Sequence, residues 1–144
     1  MKKFHFFLFF VTIRDMSLFT KIINQEIPSY KIAEDDHFYA FLDIRPISPG
    51  HTLIVPKVEV DHFYDMTDPY LSTILIFAKP IVRAIEAAVP CERVGSIIAG
   101  TEVPHAHLHL VPIIDMARFS FAYAKQATVD ELSALQQSIC SHLS

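Results

Sequence analysis

Apolar residues recur at steps of three and four through Leu71, Ile74, Leu75, Ala78, Ile81, Val82 and Ile85. That spacing puts them on one stripe of an α-helix. Asp68-Pro69 predicts its start, with Asp at the cap and Pro at the first helical position, and Pro90 stops it. This is the longest helical signal in the chain, and its stripe should cover one face of a sheet. A shorter segment, residues 18–24, follows the capping residue Ser17 and is closed by Ile27-Pro28. Its Leu18, Phe19, Ile22 and Ile23 would pack one side. Thr128-Val-Asp-Glu131 predicts a capping box for a final helix through Leu132, Leu135, Ile139 and Leu143.

Between the helices the pattern shortens to aromatic and aliphatic runs bounded by turn residues, which read as strands. They cover residues 30–33, 37–44, 51–55, 93–99 and 105–111. Asp35-Asp36 joins the first two, residues 45–50 form a Pro- and Gly-bearing loop, and Gly100-Thr-Glu102 makes a tight connection between the last two. Strands separated by short turns pair antiparallel. The fold class is α+β: an antiparallel sheet of about five strands with a long helix and a C-terminal helix beside it.

Composition narrows the function more than the fold. The 144 residues are 51% apolar and 19% charged, which describes one globular domain with a real core. A net charge of -4 without a Lys/Arg cluster excludes a general nucleic-acid binder, but not a small phosphate-bearing ligand. Cys91 and Cys140 are too few and too far apart for a disulfide framework or a Cys-rich zinc site, and they fit a reducing, cytoplasmic compartment. Lys2 and Lys3 precede an apolar run, residues 4–11, which contains His5 and has no small-residue cleavage site before Arg14-Asp15. It is too short to span a bilayer, so no membrane partner is expected. Residues 1–15 read as an extra edge strand or as an upstream extension of a domain covering residues 16–144.

The candidate chemistry lies in the last strand, Pro104-His-Ala-His-Leu-His-Leu-Val-Pro112. His105, His107 and His109 alternate with Ala106, Leu108 and Leu110, so a strand sends three imidazoles to one face and buries the other. Three polar rings need partners or solvent, which counts against a purely structural role. One alternative is a metal hydrolase, with His51 or His62 adding a ligand, although Glu102 is the only close carboxylate. The other is covalent catalysis, because a neutral imidazole displaces a good leaving group from phosphorus. The centre of the row receives help from both sides, which makes His107 the nucleophile candidate.

The same stretch resembles the His-apolar-His-apolar-His-apolar-apolar motif of the histidine triad nucleotide-binding family. The likeness extends to residues 19–28, to Ala40-Phe-Leu-Asp-Ile44 and to Pro49-Gly-His-Thr-Leu-Ile-Val-Pro-Lys57, covering roughly residues 18–113. What it implies is a homodimeric hydrolase of nucleoside phosphoramidates or nucleotidyl conjugates. By the family pattern His107 forms the nucleotidyl intermediate and His109 contacts the phosphate. His105 supplies support that includes its backbone carbonyl, and His51 is the additional active-site histidine. Asp43 accepts from the ribose hydroxyls, while Phe19, Phe41, Leu42 and Ile44 line the purine nucleoside pocket. Phe19 and Phe41 are equally at home in a core, and Asp43 at the end of a strand suits a turn cap as well as a ligand.

Two departures stand out. Residues 95–104 are compact, with Thr101 and Glu102 where many members carry a Gln-Ser or Gln-Thr pair. Thr101 can still donate a hydroxyl to the nucleotide, whereas Glu102 repels phosphate unless protonated or turned away. The zinc-binding cysteines of some members are absent, so neither a metal nor another cofactor is expected. A nucleotide-binding regulatory protein with weak or no catalysis is a further reading. In a dimer, the edge strands at residues 93–99 and the long helices would meet their copies.

Overall fold

Phe38, Ala40 and Leu42 send their side chains to one face of a strand and Tyr39 and Phe41 to the other, yet all five are buried. Both faces of the central sheet are therefore covered, which is why the sequence shows no clean apolar–polar alternation there. The computed structural model describes residues 16–143, so the alternatives for residues 1–15 lie outside the described part. The elements are α1 (Leu18–Ile23), β1 (Lys31–Glu34), β2 (Phe38–Leu42), β3 (Thr52–Pro56), α2 (Asp68–Ala88), β4 (Arg93–Ile97), β5 (Leu108–Ile113) and α3 (Val129–Ser141). The five strands run in the order β1-β2-β3-β5-β4, every neighbour antiparallel.

On one face α2 and α3 pack against Phe38, Ala40, Leu42, Ile54, Leu108 and Leu110. Helix α2 contributes Ile74, Ala78, Ile81, Ala84 and Ile85, each large aliphatic one stabilising by about 1.5–3 kcal/mol on burial. The expected stripe is partly corrected: Leu75 is 62% exposed, and Ala84 fills a buried position instead. The cap is Thr67 rather than Asp68, so Asp68 and Pro69 form the first turn. Pro80 sits inside this helix on its exposed side, where the hydrogen bond it forfeits is open to water. Helix α3 has the expected capping box between Thr128 and Glu131, and Gln136 reaches the Lys31 carbonyl on the β1 edge at 2.9 Å.

The other face carries α1, whose Phe19 and Ile22 pack on Tyr39, Phe41, Leu53 and Val55. Ser17 caps this helix as expected, accepting from the Thr20 amide. Strand β5 begins later than the sequence pattern suggests: of the three triad histidines only His109 lies in the ladder, paired with Leu53 and Ile97. Residues 98–107 form the connection from β4, which is longer than the tight turn expected at Gly100. Gly50 adopts φ +96° at the turn into β3, and a Cβ there would lie 3.0 Å from Val89 Cγ2. Only glycine fits both demands, and the turn delivers His51 to the interior.

Candidate active site

Each histidine reaches the site from a different structural setting, and its hydrogen bonds decide which nitrogen holds the proton. His105 is fully buried, and its Nε2 lies 2.9 Å from the Pro56 carbonyl, which only an N–H can satisfy. Its Nδ1 is therefore an acceptor, and the Ser17 hydroxyl donates to it at 2.7 Å. His107 Nδ1 lies 2.7 Å from the His105 carbonyl, so Nδ1 carries the proton and Nε2 keeps a bare lone pair. On the far side, the Ile47 amide donates to His51 Nδ1 at 3.0 Å, which puts the proton of His51 on Nε2. His51 Nε2–H then donates to His109 Nδ1 at 2.9 Å, leaving His109 with an Nε2–H donor. The result is a bare nitrogen on His107 beside a donor nitrogen on His109, with ring centroids 4.8 Å apart.

Burial favours the neutral forms of His51, His105 and His109. Burial lowers His51 to about 3 and His109 to about 4, with the neighbouring His109 and His107 adding to the effect on His51, and His107 to that on His109. Burial also lowers His105, opposed by its bond to Pro56 and the charge of Glu59. Asp43 moves the other way, to about 6: burial raises it, its bond from the Arg45 amide lowers it, and Glu102 raises it further.

A cavity of about 200 Å³ opens in front of the rings. Phe19, Phe41, Asp43, Ile44, His107 and His109 border it. Phe19 stands edge-on to Phe41 at 5.6 Å and to His107 at 5.1 Å. Leu42 borders it too, although its side chain belongs to the core on the α2 side. Thr101 is exposed and not part of the wall, whereas Glu102 is. His105 and His51 stand behind the wall, bonded to His107 and His109 respectively. Phe121, in the 3-10 turn Phe121–Tyr123, was not singled out by the sequence, yet its ring lies 4.9 Å from that of His109. No local spacing links the two. A larger groove of about 810 Å³ between residues 46–49 and the C-terminal segment contains none of the histidines.

The ligand atoms of Asp43, His51 and His109 lie within 4.8 Å of one another, the one potential metal cluster among the described residues. The donors do not suit a cation. Ligation by His51 Nε2 requires its proton to move to Nδ1, where it would face the Ile47 amide hydrogen. His62, the other residue of the metal reading, precedes the 3-10 turn Phe63–Asp65 and is exposed, outside this cluster.

An antiparallel sheet carrying buried histidines of complementary tautomer beside a small aromatic-lined cavity defines the class of protein. The chain belongs to the HIT domain family, whose model matches residues 24–115. It is 40% identical over 96 residues to the adenosine 5'-monophosphoramidase HNT1 of Saccharomyces cerevisiae, covering 66% of this chain and 61% of that one. The Candida albicans protein of the same name is 34% identical over 137 residues, or 88% of this chain and 90% of that one. Among solved structures, a HIT-like protein from Bartonella henselae superposes with a TM-score of 0.79 at 26% identity, covering 90% and 97% of the two chains.

Proposed function

We propose that this protein hydrolyses nucleoside phosphoramidates or related nucleotidyl conjugates, with purine nucleotides as the favoured class, through a covalent nucleotide on His107. The observation that carries the reading is the His107 Nδ1–H bond to the His105 carbonyl, which leaves Nε2 bare at the cavity. The names of the two fungal relatives agree with it. His107 Nε2 attacks phosphorus, the bond to the leaving group breaks, and the departing atom takes its proton from water. A second water then attacks phosphorus and releases the nucleoside monophosphate, restoring His107. His109 Nε2–H steadies a phosphate oxygen as charge builds. It acts as a hydrogen-bond donor, since losing its only ring proton would leave an imidazolate. Acid quench with a nucleoside phosphoramidate should trap the nucleotide on His107 for mass spectrometry, and steady turnover with no adduct would sink the covalent route.

A binding protein without turnover is the second reading, favoured by the Glu102 carboxylate at the cavity wall. The same quench separates the two, because that protein would hold nucleotide and form no adduct.

Asp43 is the proposed acceptor for ribose hydroxyls, and its carboxylate form accepts at both oxygens and more strongly than the protonated one. With its pKa near 6, affinity should rise as pH increases through about 6 and level off above it. Adenosine is the suitable probe, having no phosphate to titrate. Asp43→Asn should bind about tenfold more weakly and with a flatter profile, since a bond to a charged acceptor contributes about 1.5–3 kcal/mol. An unchanged profile in that variant would place the ribose elsewhere.

A homodimer completes the proposal. Among the described residues, strand β4 is a sheet edge that pairs only with β5, and Leu75 and Ile76 of α2 stand 62% and 69% exposed. Sedimentation should give twice the chain mass, and Ile76→Lys should shift it toward one chain; a monomeric wild type at every concentration rejects the dimer.

A further inference from the structure

His105 does not touch the cavity, yet three polar groups converge on its ring, from Ser17, Thr20 and Pro56. The end of β3 and the turn that follows it flank this residue. Pro56 accepts from the His105 ring at 2.9 Å, and Val60 accepts from the Ala106 amide at 2.6 Å. Between them, Glu59 reaches across to α1, where its Oε1 accepts from the Ser17 amide and, at 2.9 Å, from the Thr20 hydroxyl. Glu59 thus ties residues 42 positions apart along the chain.

The proton inventory gives this contact a consequence. Glu59 as a carboxylate only accepts, and burial, which would raise it, is outweighed by its bonds from Ser17 and Thr20. It draws the Thr20 hydroxyl proton toward itself, away from His105 Nδ1, which lies 3.4 Å from that oxygen. The Ser17 oxygen accepts from the Thr20 amide at 3.0 Å, and of the two acceptors its hydroxyl proton can reach, His105 Nδ1 at 2.7 Å is nearer than Thr20 Oγ1 at 3.1 Å. His105 is then held with its proton on Nε2 against Pro56, its backbone fixed between the Val103 and Val60 carbonyls. The carbonyl of this immobilised residue is the one that keeps the proton of His107 on Nδ1.

We infer that Glu59 is a positioning residue, which by tying Ser17 and Thr20 against His105 holds the His105 carbonyl where it keeps the proton of His107 on Nδ1 and its Nε2 bare. Its part in catalysis rests on the nucleotidyl-transfer reading above, but its effect on the rings does not. The carboxylate acts at a distance: it touches neither nucleotide nor reacting atoms, and it joins the helix that carries Phe19 to the histidines that Phe19 packs against.

The test follows the ring nitrogens of ¹⁵N-histidine-labelled protein by NMR together with single-turnover adenylylation and AMP affinity. Wild type should show His105 protonated on Nε2 and His107 on Nδ1. Glu59→Ala and Ser17→Ala should each mix the tautomers of both rings and slow adenylylation about tenfold or more, on the scale expected when a support of a reacting group is lost. AMP affinity should change much less. Glu59→Gln, which keeps an acceptor at Oε1, should recover most of both signals. Wild-type ring patterns in Glu59→Ala and Ser17→Ala overturn the inference whatever the activity; if Glu59→Ala does not fold, Ser17→Ala decides it. A wild type that forms no adduct removes the covalent reading instead, and leaves the NMR comparison to decide the role of Glu59.

Discussion

His107→Ala should lose on the order of 10⁴-fold or more in the rate of nucleotide release, the scale seen when a hydrolase loses its nucleophile. The argument rests on proton placement. His107 is the ring whose proton is claimed by a backbone carbonyl and whose other nitrogen faces the cavity. His105 and His51 have both nitrogens engaged, and His109 offers the cavity a donor. None of the three can replace it without rearranging buried hydrogen bonds that cost about 1–3 kcal/mol each when left unmade. AMP affinity in the variant should fall only about tenfold, equivalent to one lost hydrogen bond. Rapid quench and equilibrium binding on the same preparation check the pair of outcomes. An adduct that persists in His107→Ala would assign the nucleophile to another residue.

Stability should fall steeply on mild acidification, before most carboxylates titrate. His51 and His109 are 1% and 4% exposed, and they titrate near 3 and 4 when folded against 6.5 in the unfolded chain. Their folded values are depressed, so between pH 6.5 and about 4 the unfolded chain binds protons that the folded one refuses. Acid therefore favours unfolding, by up to about 1.4 kcal/mol per pH unit for each ring. His105 acts in the same direction. Asp43 opposes them: its raised value lets the folded protein take a proton between about pH 6 and 4 that the unfolded chain does not, offsetting roughly one ring. The net expectation is a loss of about 1.4 kcal/mol per pH unit or more, read from urea midpoints between pH 6.5 and 4. His51→Gln should flatten the profile by one ring's share. A wild-type midpoint constant across this range would mean that the rings accept protons freely in the folded state.

The cost of these buried rings bears on their purpose. A satisfied apolar core would tolerate acid better, so the protein gives up stability to hold two imidazoles neutral beside the cavity. That neutrality preserves the relay from the Ile47 amide through His51 to His109. Charging His109 would put a proton on Nδ1, opposite the Nε2–H of His51, and break the relay at its centre.

The helices and strands were legible because their causes are local. Ser17 and Thr128 cap the helices they precede, and the steps of three and four in α2 bury Ile74, Ile81 and Ile85. The misplaced details are those that packing decides. Leu75 has the right spacing but faces outward, since the buried arc of α2 is set by where the sheet lies. The triad histidines alternate as a strand would, yet the ladder begins only at Leu108: β3 continues through Val55 and Pro56, but the Ala106 amide bonds to the Val60 carbonyl and the Pro56 carbonyl takes the His105 ring.

For the site, Pro104 to Pro112 by itself pointed to the residues proposed to carry chemistry, and to His107 as their centre. Residue type and two-residue spacing are properties of the chain alone, and they suffice to put chemically active rings side by side. Which nitrogen of each ring is bare was decided only by the fold. The partners of His105 and His109 lie 88 and 58 positions away, at Ser17 and His51. Phe121, Glu59 and the approach of Glu102 to Asp43 were likewise visible only in three dimensions. A hydrogen bond depends on the position and direction of both partners to within tenths of an ångström, and burial depends on everything packed around them. Neither quantity is encoded in local spacing, so the triad was readable in one dimension and its tautomers were not.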